Sequence, residues 1–303
     1  MRINFFRKSG EARIQKIPLD IGGTCPNRDG KLSDQGCTFC SPGSFVPFYC
    51  KGEKSVRQQL EEGIAFFSRK YRCDGFLAYF QNNSTTYGNI ERVYQAFAEV
   101  LEHPAINGIV VATRPDCIDK EILNRLAEIG KSHLVRLEIG IESLNPKVLE
   151  RVNRCHGSEI VLEILKQIRG SGIEVCGHLI IGLPGETSES LVDTARSLKD
   201  IDILKLHHLQ VVKGSQLAQD YLKEPFPLLE PEEYMRLLGM FIANLSGEIR
   251  IERLINRVPR SLLIAPVWNG ITEAEFRQRL SDYMKKEGLS QGCMPSARFP
   301  AAC

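Results

Sequence analysis

Short runs of β-branched and aromatic residues recur along this chain with helical patterns between them. That alternation limits the fold more than any other feature of the sequence. Strand-like runs occupy residues 13–19, 76–81, 108–113, 134–141, 173–181 and 203–211, and helical patterns fill residues 54–71, 89–102, 119–129, 158–169 and 187–199. After the first interval the strand starts recur about every 30 residues, the length of one strand–helix unit. Such units build a parallel sheet with right-handed crossovers, either doubly wound or curled toward a barrel. The first interval is twice as long because it holds a glycine-rich loop.

That loop carries the chemistry. Residues 19–45 read LDIGGTCPNRDGKLSDQGCTFCSPGSF and place Cys25, Cys37 and Cys40 in the pattern C-x11-C-x2-C. Three cysteines on one loop point to a metal site. Deprotonated cysteines are the protein ligands of iron–sulfur clusters, and a [4Fe-4S] cube held by three of them keeps one iron for a ligand that is not protein. A four-cysteine zinc site is the other arrangement, because Cys50 lies ten residues past Cys40. Zinc sites usually combine two close pairs, and only one is present. Cys73, Cys117, Cys155, Cys176, Cys293 and Cys303 are scattered without metal spacing and are expected mostly as buried thiols.

Composition bounds the setting. The 303 residues are 43% hydrophobic and 25% charged, enough for a sizeable core, and a formal net charge of +2 names no partner. No apolar run is long enough to span a bilayer, and MRINFFRKSG lacks the apolar segment of a signal peptide. The expected setting is the cytoplasm, with no membrane partner. There, ten cysteines argue for metal or redox chemistry over a disulfide framework.

In barrel sheets chemistry gathers at the C-terminal ends of the strands, and polar or glycine-rich residues stand there in this chain. Cys25 follows the first strand, Gln81 and Asn82 end the second, and Thr113, Arg114 and Asp116 end the third. Glu142 and Ser143 end the fourth, and the turn at residues 182–186 ends the fifth. On the sixth, Lys205 and His207 share a face by two-residue alternation, with Gln210 beyond.

These residues resemble the radical S-adenosylmethionine (SAM) enzymes, most closely the small bacterial branch related to the catalytic subunit of Elongator, over residues 14–290. That branch carries GxxCPNRDG and GCTFC after its first strand, as here at residues 22–40. It also has a YFQ strand followed by threonine and tyrosine, matching Tyr79, Phe80, Gln81, Thr86 and Tyr87. TRPDC matches residues 113–117 and HLIxGLPGE matches residues 178–186. The resemblance implies an α/β fold, a partial (β/α)6 barrel over residues 1–218 with its cluster loop at residues 21–45. It implies that Cys25, Cys37 and Cys40 ligate three irons of a [4Fe-4S] cluster and that the amino and carboxylate groups of SAM chelate the fourth. Cleavage of SAM then yields a 5′-deoxyadenosyl radical, with a reductant such as flavodoxin or ferredoxin as the electron source, and the hard chemistry belongs to the cofactors. The implied substrate is a tRNA base, a wobble uridine. A small metabolite or tetrapyrrole is the enzymatic alternative, and a non-catalytic, zinc-stabilised nucleic-acid-binding protein is the alternative outside enzymes.

The same resemblance suggests which residues hold SAM. Phe39 stands where the family puts an aromatic side chain near the adenine, or else belongs to the core. Gln81 occupies the place of a turn that receives the SAM amino group, or caps a strand. Glu142 falls where relatives carry glutamine facing the ribose hydroxyls, and a carboxylate accepts both of those hydrogen bonds. Arg154 matches an arginine paired with the SAM carboxylate, a contact that suits the guanidinium fork. Thr113, His178 and Gly182 complete the expected SAM contacts, the glycine by letting backbone approach the adenine.

Beyond the sixth strand, residues 224–231 read as a connector into a small α-rich C-terminal extension, residues 219–290, with helices near 232–245 and 272–287. Residues 250–303 carry nine Lys or Arg against five Asp or Glu, a balance of +4 that leaves −2 for the rest. Arg250, Arg253, Arg257 and Arg260 are either a polyanion-binding face or a solvated helix face or loop. The close family has a Gly-Asp-Gly-Pro turn where this chain reads Asn256, Arg257, Val258, Pro259. Residues 291–303 are expected to be disordered.

Overall fold

The computed structural model describes residues 3–5, 13–41, 43 and 46–294. Each expected strand is present: β1 (Ile14–Leu19), β2 (Gly75–Phe80), β3 (Ile106–Thr113), β4 (Leu134–Glu142), β5 (Glu174–Ile181) and β6 (Ile203–His208). Between them run α1 (Val56–Lys70), α2 (Ile90–Leu101), α3 (Lys120–Gly130), α4 (Pro146–Arg151), α5 (Ser158–Ile168) and, before β6, α6 (Ser188–Ser197). Side chains satisfy the first backbone donors of these helices. Ser55 and Gln58 form a capping box on α1, Asn89 and Asp119 cap α2 and α3, and Thr187 and Ser190 box α6. The short α4 went unread because its six residues span too few turns to show a period.

Beyond β6 come β7 (Val211–Val212), α7 (Gln216–Lys223), α8 (Pro231–Asn244), β8 (Arg250–Arg253), β9 (Leu263–Ala265) and α9 (Glu273–Lys286). The main sheet is parallel in the order β1-β2-β3-β4-β5-β6-β8, and β7 and β9 form a separate antiparallel pair. The seventh strand corrects the expectation of six. It arises where the arginine spacing suggested a helix face or loop. Ile203 pairs with Arg250 and Leu204 with Ile251, Ile251 is fully buried, and its N–H donates to the carbonyl of Asn4 on the outer edge. Four residues with one buried apolar side chain leave no period to read.

The sheet curls strongly. A flat sheet would set its first and seventh strands about 29 Å apart, at roughly 4.8 Å per step. Instead Lys16 of β1 and Glu252 of β8 form an ion pair of 2.8 Å, so the seven strands make a half-barrel. Its outer face is apolar. On β4, Val135, Leu137, Ile139 and Ile141 pack toward the helices, in one cluster with Phe97 of α2, Leu126 of α3 and Val161 of α5. The alternate residues Arg136, Glu138, Gly140 and Glu142 therefore face the interior.

The extension joins this body through its own buried side. Tyr234 of α8 donates its hydroxyl to the Leu254 carbonyl at 2.5 Å, and Trp268 stacks on His208 of β6 with ring centroids 3.9 Å apart. Residues 291–294 are tied to α8, with Gly292 N–H on the Ile242 carbonyl and Met294 N–H on that of Ala243 at 2.8 Å. The remainder of the expected disordered tail, residues 295–303, lies outside the described residues. Among the described residues no helix is long and apolar enough to cross a membrane.

Helix α1 approaches β1 closely enough to test the packing. A Cβ on Gly63 would lie 2.4 Å from Cγ2 of Ile17, which is fully buried and branched next to the backbone. Gly63→Ala is expected to destabilise the protein by about 1–3 kcal/mol in urea unfolding. Gly130→Ala, at the end of α3 with nothing within 4 Å of the new methyl, should be neutral or stabilising by up to about 1 kcal/mol.

Candidate active site

The cysteine loop leaves β1 through a turn that requires glycine. Gly22 and Gly23 have φ of 69° and 110°, and Asp20 Oδ1 accepts from Gly22 N–H at 2.8 Å. The Cys25 carbonyl then accepts from the N–H groups of Arg28 and Asp29, and Cys40 N–H donates to the Cys37 carbonyl. The loop is pinned to the segment after α4. Thr38 N–H donates to the Val152 carbonyl at 3.0 Å, and Asn153 Nδ2 donates to the Gly36 carbonyl at 2.8 Å. The fully buried Asn27 donates to the Asn153 carbonyl at 2.6 Å.

These contacts gather donors around one sulfur. Cys37 is buried, and its Sγ has Asn27 Nδ2 at 3.4 Å, Arg154 Nη1 at 3.5 Å and Arg114 Nη1 at 3.9 Å. These N–H donors would compensate the charge of a sulfur bound to metal. Cys25 and Cys40 are half-buried. The Cys40 thiol is pushed up by burial, lowered by Arg28 and raised by its neighbours Cys37 and Cys25, with the balance upward.

Cys50 is elsewhere. It sits in the hydrophobic core with its Sγ 3.5 Å from the Pro18 carbonyl, and burial pushes its thiol up to about 11. The trio of potential metal-ligand atoms found mutually within 4.8 Å among the described residues is that of Glu138, Cys176 and His178. Of the other described cysteines, Cys176 is buried, Cys73 and Cys117 are half-buried, and Cys155 and Cys293 are exposed. This corrects the expectation that most would be buried, because Cys155 and Cys293 fall outside the helices and strands.

The expected SAM contacts divide into four groups. Arg154, buried, and Glu142 come together beside Cys37: Arg154 Nη2 lies 4.0 Å from Glu142 Oε1 and also donates to the Gly140 carbonyl, while its Nε has no partner among the described residues. Glu142 holds a left-handed backbone, φ 65°. Phe39 packs partly buried against Val148, Val152 and Leu183, beside the turn of Gly182, whose φ is 93°. Thr113 is occupied elsewhere, with its hydroxyl bonded to Ser84 at 2.8 Å and Thr86 at 2.6 Å. Gln81 and His178 line the interior cavity.

That cavity, about 960 Å³, runs along the inside of the half-barrel. Behind its wall lies Glu138, which sequence reasoning missed. The Glu138 side chain is fully buried and accepts from Lys16 Nζ at 2.7 Å, Lys205 Nζ at 2.7 Å, Tyr79 OH at 2.7 Å and His178 Nε2 at 2.9 Å. Burial alone would raise its pKa; Lys205 and Lys16 outweigh that and hold it well below the carboxylate range. Two ammonium groups on one carboxylate also make the Glu138, Cys176 and His178 trio a poor cation site. Burial keeps His178 and His207 neutral, stacked 5.4 Å apart. Near the Gly182 turn, burial pushes the Glu186 carboxyl up to about 8, with Ser143 Oγ donating to it at 3.0 Å.

This geometry meets a matching family. The sequence pattern of the Radical SAM superfamily fits residues 21–198, and that of the Radical_SAM C-terminal domain fits residues 201–286. The chain belongs to the radical SAM superfamily. Protein YhcC of Escherichia coli is 32% identical over 265 residues, covering 86% of this chain and 84% of that protein. A tRNA uridine(34) acetyltransferase of Methanocaldococcus infernus is 24% identical over 209 residues, covering 66% of this chain and 37% of that protein. The structure of the archaeal Elp3 from the same species superposes with a TM-score of 0.67 at 18% identity, covering 93% of this chain and 65% of that one. Radical SAM enzymes use a [4Fe-4S] cluster and SAM and need a reductant, so this protein is an enzyme and the zinc-stabilised binding module is set aside.

The interior ion network sets a pH dependence. Burial would raise Glu252, but Lys205, Lys16 and Arg136 bring it down to about 2 from an ordinary 4.5. A depressed carboxyl stabilises the fold above pH 4.5 and loses that contribution as pH falls toward 2. Urea unfolding should therefore lose stability across that window, with a shallower slope in Glu252→Gln. Glu138→Gln, which leaves two buried ammonium groups without their shared counter-charge, should cost about 3–5 kcal/mol at neutral pH.

Proposed function

We propose that this enzyme holds its [4Fe-4S] cluster on Cys25, Cys37 and Cys40 and acts on a wobble uridine of tRNA. The observation that carries the cofactor half is the trio of loop thiols backed by a buried Arg154 whose Nε is unpaired. That donor set fits: three thiols on one loop, a fourth thiol withheld in the core, and an unspent guanidinium edge beside them. When bound, the cluster and SAM supply reductive carbon–sulfur cleavage and a 5′-deoxyadenosyl radical.

The side chains of this protein have positioning to do. Arg154 keeps one amino group on Cys37 and offers its unpaired Nε edge to the SAM carboxylate. Glu142, held near it by a left-handed backbone, accepts from the ribose hydroxyls. Phe39 and the turn of Gly182 wall the adenine, and Gln81 faces the amino group from the end of β2. Thr113, by bonding Ser84 and Thr86, fixes the segment after β2 on which that wall depends. The half-barrel interior then holds the substrate, since orienting a C–H bond against a radical is a matter of placement.

The tRNA half is supported by the similarity to the tRNA uridine(34) acetyltransferases. This chain spans about a third of that relative's length, and acetyl transfer is not carried over. Flavodoxin or ferredoxin fits as the electron donor. Mass spectrometry of nucleosides from tRNA of cells with and without the gene tests the substrate. A wobble-uridine derivative should change, and identical profiles would move the substrate to a small metabolite.

For the SAM site, Arg154→Ala is expected to weaken SAM binding roughly ten- to a hundredfold, from a lost charge-assisted pair of about 1.5–3 kcal/mol. Equilibrium dialysis of reconstituted protein reads this. Unchanged affinity would remove Arg154 from the site.

A further inference from the structure

The four arginines of the extension do not form one face. Arg250 joins the interior ion network, with a contact to Glu174, and the guanidinium of Arg260 lies beside the turn at Gly270. Arg253 and Arg257 instead line the edge of the interior cavity, at the end of β8 and on the segment after it. Both are exposed, and neither has an ion-pair partner among the described residues.

The wall they join is already cationic. Lys16, Arg136, Lys205 and Arg250 face three carboxylates, those of Glu138, Glu174 and Glu252. Among the described residues these four basic groups outnumber the three carboxylates, and Arg253 and Arg257 add two more positive charges at the rim. Arg253 is near enough to affect both Tyr79 and His207 electrostatically. A low-dielectric concavity with charges of one sign concentrates its field and draws in the opposite sign. His207 lines the same cavity; its Nε2 is buried and meets no described residue at hydrogen-bond geometry, with the Asn256 side chain close by. An unpaired buried nitrogen is costly unless something meets it. Asn256, next to Arg257, lines this wall too, and its N–H and side-chain oxygen fold the segment back, donating to His208 Nδ1 and accepting from Arg257 N–H.

We propose that Arg253 and Arg257, with His207 Nε2, form a subsite at the cavity rim for an anionic group of the substrate, either a carboxylate or a phosphate. The subsite rests on the reading of this cavity as the substrate chamber of a radical SAM enzyme, and it adds to that reading the charge of what enters. The guanidinium forks match both oxyanions in geometry. Neutral His207 supplies one donor without adding charge.

Isothermal titration of the cluster-loaded protein with inorganic phosphate and with malonate tests the subsite and separates the two sources. At least one should bind the wild type, and its Kd should rise about tenfold or more in the double variant Arg253→Gln, Arg257→Gln. The double variant Arg253→Lys, Arg257→Lys should recover part of the loss. Binding of malonate alone assigns a carboxylate, and of phosphate alone a phosphate ester. Equal affinities in the wild type and the glutamine variant overturn the proposal, as does no binding of either anion up to about 10 mM. Iron content and thermal midpoint check that each variant is folded. If the double variant is not, Arg257→Gln alone, outside the sheet, gives the same readout. A tRNA nucleoside profile that does not change would sink the tRNA reading and leave this binding result standing.

Discussion

The half-barrel depends on one buried carboxylate. Glu138 stands on the central strand, and its two oxygens bind groups from β1, β2, β5 and β6, while Lys16 and Lys205 pass the connection on to Glu252 of β8. A buried ion network of this kind is stable only when every member is satisfied, because the low dielectric that strengthens each pair also magnifies a missing one. Closed barrels fill the same space with layers of branched apolar side chains. Here charge replaces that filling and leaves a polar chamber. The curl of the sheet and the chemistry of the interior thus come from the same residues.

A second constraint holds the cofactor loop against the barrel. Asn153 and Cys155 flank Arg154 with left-handed backbones, φ 53° and 60°, and Glu142 across from it is left-handed as well. Asparagine adopts that conformation readily. For cysteine and glutamate it costs on the order of 1–3 kcal/mol and persists only where the surroundings enforce it. The enforcement is visible in Asn27, Thr38 and Asn153, whose hydrogen bonds tie loop to turn and aim Arg154 at Cys37. Local strain here is exchanged for a fixed guanidinium.

The repeating strands and helices were legible because each holds a period over several turns or residues, and the loop cysteines because their spacing sits in a glycine-rich break between elements. β8 was not legible: Arg250, Ile251, Glu252 and Arg253 are too short for a period, and three of the four are charged. Glu138 escaped for the opposite reason, since a glutamate in the middle of LVRLEIGIE looks like an interruption of a buried strand. Only the curl of the sheet brings Lys16, separated from it by more than a hundred residues, onto its oxygens. His178 shares the interior face with Lys205 and Glu138 by two-residue alternation, but its bond to the Glu138 carboxylate follows only from the folded sheet. The arginines at 253 and 257 read as a surface patch because sequence spacing does not show that Arg253 ends a strand of the sheet and that both line its interior cavity.

We propose that Cys25, Cys37 and Cys40 leave one iron for SAM. Electron paramagnetic resonance of the anaerobically reconstituted, reduced protein, recorded before and after SAM is added, tests this directly. The account predicts a reduced [4Fe-4S] signal that shifts on SAM addition in the wild type and in Cys50→Ala, and that is lost in each of the three loop variants. A signal indifferent to SAM, or one lost in Cys50→Ala, would contradict it.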